Sequence, residues 1–156
     1  MIRKAGIKDV KKIHTIVNLS ASRGEMLARP LGDLYDNLRD YFVCEEDGEI
    51  IGTGAFHICW EELAEIRSLC VAESSRKKGI GRMLVDACID EARQFNIGKI
   101  FLLTYRVEFF EKCGFHIADK KVFPQKIWSD CIRCPKFPEC DEIAMIKEIY
   151  AMGYGQ

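Results

Sequence analysis

The sequence predicts a mixed α/β domain of the α+β kind, with a central mixed sheet flanked by helices. Apolar strand-like segments and amphipathic helix-like segments follow each other in the order βααβββαβαββ. A turn at 46–48 predicts a hairpin within the run of three strands, and a strand, a glycine-containing turn and a helix follow from residue 63. The 156 residues are enough for one domain, and we expect residues 1–156 to form a single one.

The first part of the chain is predicted to contain one short strand and two helices. Residues 2–5 form the strand, and Asp9 is a candidate N-cap for the first helix. Apolar residues recur on one face of that helix, namely Val10, Ile13 and Val17. Pro30 disfavours helical backbone at the residue before it, so 25–31 is predicted to be a connector. Apolar spacing at 34–38 indicates a short second helix.

The middle of the chain is predicted to form three consecutive strands. The first two cover 41–45 and 50–59, and Glu46-Asp47-Gly48 between them is a hairpin turn sequence. After a turn at 60–62, an apolar and β-branched run predicts the third strand at 63–71.

The last part is predicted to run helix, strand, helix, strand, strand. The predicted bounds are a helix ending at 95, a strand at 100–104, a helix at 108–112, and strands near 115–120 and at 142–149. Residues 121–141 contain three prolines and no periodic pattern, so we expect an irregular segment within the domain.

A basic turn from Arg76 to Arg82 lies between the strand at 63–71 and the following helix. It contains Gly79 and Gly81, which have no Cβ and allow a ligand to approach the backbone. The remaining members are Lys77, Lys78 and Ile80. Backbone N–H groups at a helix start lack intrahelical partners and favour anions, so the turn is a candidate phosphate site. The alternative is an ordinary strand-to-helix turn with solvated cations.

The spacing of this turn separates three kinds of phosphate loop. It has neither Gly-x-x-x-x-Gly-Lys-Ser/Thr nor Gly-x-Gly-x-x-Gly. The pattern Arg76-x-x-Gly79-x-Gly81 resembles the acetyl-CoA pyrophosphate loop of the GNAT superfamily of N-acetyltransferases. Residues 109–115, a short helix closed by Gly-Phe, are similar to the second motif of that superfamily. The resemblance implies a GNAT fold over about residues 2–120 and acetyl-CoA as co-substrate.

The resemblance also implies roles for individual residues. Leu69 would polarise the thioester carbonyl through its backbone N–H, and Val71 would pair with the pantetheine arm. The other implied cofactor-binding residues are Arg76, Lys77, Lys78, Gly79, Ile80, Gly81 and Arg82. Glu65 corresponds to a general base, and a carboxylate at the start of an apolar strand is unusual. Its alternative interpretation is an exposed strand-end Glu paired with a Lys.

One position departs from the superfamily pattern. Many members place a Tyr acid four residues before the closing Gly, where this chain has Phe110. Tyr105 and Ser68 are nearby substitutes, although a Tyr at a strand end is commonly an edge aromatic. The three histidines, His14, His57 and His116, are interpreted as structural or exposed.

Further segments are similar to the acetyltransferase domains of N-acetylglutamate synthases in their short bacterial form. They lie at 29–35, 63–69, 103–105, 108–110 and 123–128. The resemblance implies acetyl transfer to a small amino acid, L-glutamate, in arginine biosynthesis. It does not extend to the arginine-sensing kinase-like domain of classical synthases, so feedback control by arginine is left open. The alternatives are another small amine, a protein N-terminus, or a CoA-binding regulatory module without catalysis.

Glutamate has two carboxylates and therefore needs cations at two places. Arg67 alternates with Glu65 along the strand and is predicted to share its face. Arg29, in the connector between the first two helices, is predicted to bind the second carboxylate. Arg106 is a third candidate, and the alternative for Arg29 and Arg67 is pairing with surface acids.

Composition limits the partners. The hydrophobic fraction of 48%, the charged fraction of 30% and the net charge of −1 predict a soluble globular chain without a nucleic-acid or anionic-membrane surface. No apolar run approaches the roughly 18 residues of a membrane span, and the N-terminus lacks a signal-peptide pattern. We expect a cytoplasmic enzyme. The oligomeric state is left open, with a homodimer as one alternative.

Eight cysteines could suggest disulfides, but their positions argue otherwise. Five lie in apolar segments and are predicted to be small buried hydrophobic residues, namely Cys44, Cys59, Cys70, Cys88 and Cys113. The others, Cys131, Cys134 and Cys140, are closely spaced and form a candidate zinc site that lacks a local fourth ligand. Reduced free thiols are the alternative.

Overall fold

A computed structural model describes residues 1–120 and 142–149. The described elements follow the predicted order βααβββαβαββ. The strands are β1 (Ile2–Lys4), β2 (Tyr41–Glu46), β3 (Glu49–Trp60), β4 (Leu63–Val71), β5 (Lys99–Thr104), β6 (His116–Ile117) and β7 (Ile143–Glu148). The helices are α1 (Val10–Ser22), α2 (Leu31–Asp36), α3 (Ile80–Gln94) and α4 (Val107–Lys112).

The strands form a seven-stranded mixed sheet in the order β1-β2-β3-β4-β5-β7-β6. β1 with β2, β2 with β3, β5 with β7 and β6 with β7 pair antiparallel, whereas β4 and β5 pair parallel. The parallel ladder covers three pairs and ends at Glu65 with Phe101, whereas β5 pairs with β7 over its whole length. The predicted mixed sheet with flanking helices is therefore confirmed.

The chain divides into two compact units. The first contains Met1–His57 and Ile66–Glu91, and the described part of the second contains 58–65, 92–120 and 142–149. The core of the first is formed by Val10, Ile13, Val17, Leu34, Tyr41, Val43, Ala55 and Cys70. In the second, Phe101 and Ala144 pack with Cys59, Leu63, Leu103, Ala118 and Ile146. The single domain over 1–156 stays a prediction, and the segment 121–141 lies outside the described residues.

Within the first unit, two glycines of β3 let neighbouring elements approach closely. A Cβ on Gly52 would lie 3.0 Å from Ile80 Cγ2 and 3.3 Å from Leu84 Cδ1. A Cβ on Gly54 would lie 3.0 Å from Leu69 Cδ1. Such distances are shorter than ordinary van der Waals contacts, so a side chain at either position would push its neighbours away. The two glycines therefore let the first turn of α3 and the middle of β4 pack closely against β3. Both of these segments carry predicted site residues.

Two local details differ from the expectation. Asp9 precedes α1 as predicted, but its side chain makes no capping bond to that helix. Its carboxylate accepts hydrogen bonds from the Gly6 N–H at 2.8 Å and from Arg3 at 2.7 and 3.1 Å. Leu38 belongs to a short 3₁₀ turn, Leu38–Asp40, rather than to α2. The Asp9 carboxylate therefore stabilises the segment before α1 by binding Arg3 and the Gly6 N–H, and it does not cap the helix.

Candidate active site

The turn between β4 and α3 has the backbone geometry that the glycine pattern predicts. Lys77 and Gly79 have left-handed φ angles of 71° and 79°. The Gly79 carbonyl accepts the Met83 N–H at 3.1 Å, so the helical ladder starts here. The first N–H groups of α3 therefore lie next to the turn, where a helix start favours an anion.

The side chains of this turn fall into two groups. Lys77, Lys78 and Arg82 are exposed or partly exposed, and Arg82 forms an ion pair with Asp86 at 3.6 Å in which both side chains are about half exposed. Ile80 is only 5% exposed, because its side chain packs against Gly52. The solvent-accessible cations add positive potential at the helix start, while Ile80 anchors the turn to the core.

Arg76 makes two polar contacts within the first unit. Its Nε lies 3.5 Å from the Val71 carbonyl oxygen, and its Nη2 lies 3.6 Å from Glu25 Oε1. The Arg76 and Glu25 side chains are each about one-third exposed. The sequence pattern gave no sign of Glu25, because the two residues are far apart in the chain.

Arg29 is buried in the connector between α1 and α2, with 8% of its surface exposed. Its backbone makes two hydrogen bonds with the Asn18 side chain, at 3.0 Å from the Arg29 N–H and 2.9 Å to its carbonyl. Its Nη1 lies 3.5 Å from Asp33 Oδ2. The connector is therefore fixed at the position of the predicted carboxylate-binding residue, and Asp33 balances part of the charge.

Tyr41, at the start of β2, has a hydroxyl that the charges of both predicted arginines affect. Its side chain is buried, and its hydroxyl lies 3.4 Å from Ser68 Oγ. Burial raises the pKa of the Tyr41 hydroxyl, and the charge of Asp33 adds to that rise. The Ser68 hydrogen bond and the charges of Arg29 and Arg67 act in the opposite direction. Both guanidinium groups thus act on one hydroxyl within the first unit. The only sequence signal for Tyr41 was a phenol in an otherwise apolar strand, which also fits a core residue.

The backbone of β4 changes conformation directly after Arg67. Ala64 and Ile66 are buried and alternate with the partly buried Glu65 and Arg67, as the shared-face prediction requires. Ser68 then has a left-handed φ of 54°, which is unusual for a residue other than glycine. Leu69, the predicted oxyanion donor, therefore follows a local distortion.

Three predicted or substitute residues belong to the second unit. Glu65 is partly buried and forms the last pair of the β4–β5 ladder. Arg106 is exposed before α4, where its N–H donates to Thr104 Oγ1 at 2.8 Å. Tyr105 is 41% exposed.

Phe110 occupies the position of the usual acid and is a core residue. It is 6% exposed and makes edge-to-face contacts with Phe109 and Phe115, with ring centroids 4.9 and 5.7 Å apart. The ring packing explains why an apolar residue is suited to this position.

The thiol nearest in sequence to the predicted acetyl-CoA residues is Cys70. Burial raises its pKa to about 12, and the same cause raises the pKa of Cys88 to about 12. A thiol with such a pKa is neutral at physiological pH and a poor nucleophile. Cys70 therefore serves as a packing residue in the core of the first unit and is unsuited to carry an acetyl group.

The other cysteine and histidine predictions have mixed outcomes. Cys44, Cys70, Cys88 and Cys113 are buried, as expected, whereas Cys59 is only partly buried. His57 Nδ1 lies 2.6 Å from Asp40 Oδ2, which fits a structural role. Over residues 1–120 and 142–149, no group of three or more His, Cys, Asp or Glu could hold a metal. Cys131, Cys134 and Cys140 lie outside the described residues, so the zinc site stays a prediction.

Comparison with known proteins decides the family. The profile of the acetyltransferase (GNAT) family matches residues 11–115. The chain belongs to the GNAT acetyltransferase family. It is 40% identical over 148 residues to an uncharacterized N-acetyltransferase of Chlorobaculum tepidum, covering 95% of this chain and 96% of that protein. The predicted family and fold are confirmed, and the protein is an acetyltransferase.

Other relatives carry a more specific name. This GNAT protein is 33% identical over 118 residues to the amino-acid acetyltransferase of Mycobacterium tuberculosis, covering 74% of this chain and 67% of that enzyme. It is 29% identical to the amino-acid acetyltransferase of Mannheimia succiniciproducens, of which it spans only 29%.

Solved structures agree on the fold. A Mycobacterium tuberculosis protein in complex with CoA and NLQ has a TM-score of 0.82 at 26% identity, covering 96% of this chain and 99% of that one. The N-acetylglutamate synthase of Neisseria gonorrhoeae, complexed with coenzyme A and N-acetyl-glutamate, has a TM-score of 0.87 at 23% identity. The match covers 96% of this chain and 35% of the synthase. Within the described residues of the GNAT protein, no helix is long and apolar enough to cross a membrane.

Proposed function

We propose that this GNAT protein transfers the acetyl group of acetyl-CoA to the α-amine of a small amino acid, L-glutamate. The observation that carries the proposal is the placement of Arg29 and Arg67 in the first unit, where Arg67 directly precedes Ser68, whose Oγ lies 3.4 Å from the Tyr41 hydroxyl, and the charges of both arginines act to lower the pKa of that hydroxyl. Two cations in this part of the unit suit a ligand with two carboxylates, since guanidinium groups bind carboxylates in a planar, bidentate manner. The names of the Mycobacterium and Mannheimia relatives support an amino-acid acceptor.

Acetyl-CoA is the co-substrate of this family member. Its structural neighbours include a Salmonella typhimurium protein with its cofactor acetyl-CoA, at a TM-score of 0.76 and 20% identity. We place the pyrophosphate at the start of α3, where the backbone N–H groups and the solvent-accessible Lys77, Lys78 and Arg82 favour an anion. The pantetheine arm would pair along β4 at Val71.

The acceptor carboxylates are assigned to the two arginines of the first unit. Arg67 lies on β4 two residues after Glu65, so it can hold one carboxylate while the amine lies toward the base. Arg29 would hold the other, with its orientation set by Asn18 and Asp33. Arg106, exposed before α4, is retained as a weaker third candidate.

The reaction requires one proton to leave the acceptor before the new bond forms. Glu65 would accept the proton of the ammonium group, directly or through a water molecule. The free amine then attacks the thioester carbonyl, and the Leu69 N–H stabilises the negative oxygen. As the tetrahedral intermediate collapses, the carbon–sulfur bond breaks and the attacking nitrogen gives up its second proton to become the amide. CoA leaves as a thiolate that takes up one proton, so the reaction releases one proton in total. Tyr105 and Ser68 are the candidate donors of the proton to the thiolate, since Phe110 has none to give.

Steady-state kinetics with Arg67→Ala test the acceptor assignment. We measure CoA thiol release from acetyl-CoA with and without L-glutamate, for the wild type and the variant. Loss of a charge-assisted carboxylate contact should raise the KM for glutamate about ten- to a hundred-fold while acetyl-CoA still binds. Arg93→Ala, which removes an exposed arginine of α3, is the matched control and should stay within about two-fold of the wild type.

The outcomes separate the alternatives. Unchanged glutamate kinetics in Arg67→Ala would remove Arg67 from the acceptor site. Thiol release with another amine but not with glutamate would favour another acceptor, and CoA binding without thiol release for any acceptor would favour a regulatory module.

A further inference from the structure

Two ion pairs connect the segment after α1 with the segment after β4, both within the first unit. Arg23 Nη2 lies 3.2 Å from Glu73 Oε2, and Arg76 Nη2 lies 3.6 Å from Glu25 Oε1. The first pair is exposed, with 72% of the Glu73 side chain accessible, whereas the Glu25 and Arg76 side chains are each 31% accessible. An exposed ion pair contributes little to stability, so the Glu25–Arg76 pair is expected to be the stronger of the two connections.

The Glu25 carboxylate is built into the structure more firmly than a surface acid. The Glu25 N–H donates to the Ser20 carbonyl at 3.1 Å, which fixes the backbone directly after α1. Its Oε1, the atom that faces Arg76, is inaccessible to solvent. A buried carboxylate oxygen requires a compensating cation, and Arg76 supplies that charge.

Arg76 is correspondingly held on two sides of its guanidinium group. Its Nε lies 3.5 Å from the Val71 carbonyl at the end of β4, and its Nη2 faces Glu25. Arg76 is the first residue of the pyrophosphate pattern, and the left-handed Lys77 and Gly79 follow closely. Fixing a side chain with several rotatable bonds before the ligand arrives reduces the entropy lost on binding.

We propose that Glu25 is a positioning residue for acetyl-CoA: its carboxylate holds Arg76 at the end of β4 and so fixes the start of the pyrophosphate turn. The proposal rests on the assignment of acetyl-CoA to residues 76–82. It adds a residue that lies outside the turn, in the same connector that carries Arg29 four residues later. Glu25 would not touch the cofactor, because it acts through Arg76.

Glu25 also has a second effect on CoA binding, opposite to the positioning effect, and the experiment must distinguish the two. A carboxylate near the turn repels the phosphates, so removal of its charge alone should strengthen CoA binding. Glu25→Gln keeps the size and polarity of the side chain but removes the charge, so weaker attraction to Arg76 and weaker repulsion of the phosphates oppose each other. Glu25→Ala removes the whole polar group, and Glu25→Asp keeps the charge but withdraws it from a partner that is already 3.6 Å away.

Calorimetric titration of the full chain with CoA tests the proposal. Positioning predicts a Kd that rises about three- to ten-fold in Glu25→Ala and Glu25→Asp and stays within about two-fold in Glu25→Gln. At saturating acetyl-CoA, kcat should remain within about two-fold of the wild type. Glu73→Ala removes the exposed ion pair between the same two segments and is the matched control, with an expected Kd change below about two-fold.

The contrary outcomes are distinct. An unchanged or lower Kd in both Glu25→Ala and Glu25→Asp would overturn the positioning role, and if Glu25→Ala does not fold, Glu25→Asp alone decides. Equal weakening by Glu73→Ala would overturn it as well, since the effect would then come from joining the segments rather than from Arg76. A wild type that does not bind CoA would instead overturn the proposed function itself.

Discussion

Tyr41 shows how much of the candidate site depends on single side chains that a sequence pattern does not reveal. The residue types of Arg29 and Arg67 could be selected from the sequence, because a dicarboxylate needs two cations. Their common effect on the Tyr41 hydroxyl could not be predicted from the sequence, since it depends on how the connector, β2 and β4 fold together. The same is true of Glu25, because the sequence marked Arg76 as a candidate cofactor-binding residue but gave no sign of its carboxylate partner.

A second residue-scale network governs stability rather than chemistry. Asp9 is 4% exposed and accepts hydrogen bonds from Arg3 and from the Gly6 N–H. Arg3 also pairs with Glu45 at 2.8 Å, which connects β1 to β2. The hydrogen bonds from Arg3 lower the pKa of the Asp9 carboxyl below its ordinary value of 3.8.

The sign of this shift makes Asp9→Asn a pH-dependent test. A lowered folded-state pKa stabilises the protein above the unfolded-state value near 3.8, and that contribution is lost as pH falls through the folded-state value. We expect Asn to reduce the free energy of unfolding at pH 7 by about 2 kcal/mol. The difference from the wild type should shrink below about pH 4 in denaturant titrations.

Glu49→Gln is the control for this experiment. Glu49 pairs with Lys12 at 3.5 Å, but both side chains are more than half exposed, so its loss should change stability by less than about 0.5 kcal/mol. A difference between wild type and Asp9→Asn that does not shrink at all as pH falls well below about 4 would contradict the proposed charge contribution.

At the scale of elements, the sequence predicted helices and strands correctly where the hydrophobic periodicity and the turn-forming residues indicated the same element. The hairpin turn has left-handed Asp47 and Gly48, as its sequence indicated. Two features escaped prediction because they depend on neighbouring strands: the register shift between Cys44 and Glu45, and the left-handed Ser68 in β4. Neither position is a glycine, the residue type that would have indicated a bulge or a left-handed backbone in the sequence.

The turn before α3 gives the element-scale prediction. Gly79 has a φ of +79° and open space where a Cβ would lie, so a bulky side chain there strains the backbone without clashing. Gly79→Val should distort the first turn of α3 and weaken CoA binding by more than about ten-fold.

Gly48→Val is a closely matched control for that change. Gly48 has a φ of +78°, equally open surroundings and a place in the β2–β3 hairpin. The two variants should lose similar stability in thermal melts, whereas only Gly79→Val should lose CoA binding in calorimetric titrations. Wild-type affinity in Gly79→Val would refute the assignment of the turn.

For the whole molecule, the sequence predicted the element order but not the complete strand order. β7 lies between β5 and β6 although it follows both in the chain, and no local pattern encodes this placement. Patterning favoured a mixed sheet, and the antiparallel pairing of β5 with β7 depends on contacts that form only on folding. The proposed acceptor site shares this limit, because its assigned residues come from the connector and β4, which are distant in the sequence.

The central claim, acetyl transfer to glutamate, is tested most directly by identifying the product in competition. The purified protein is incubated with acetyl-CoA and an equimolar mixture of the common amino acids, together with a lysine-containing peptide, and the products are analysed by mass spectrometry. Two arginines that suit two carboxylates predict N-acetyl-L-glutamate as the main product. Preferential acetylation of aspartate, of lysine, of the peptide or of an amino acid with one carboxylate would contradict the proposed function.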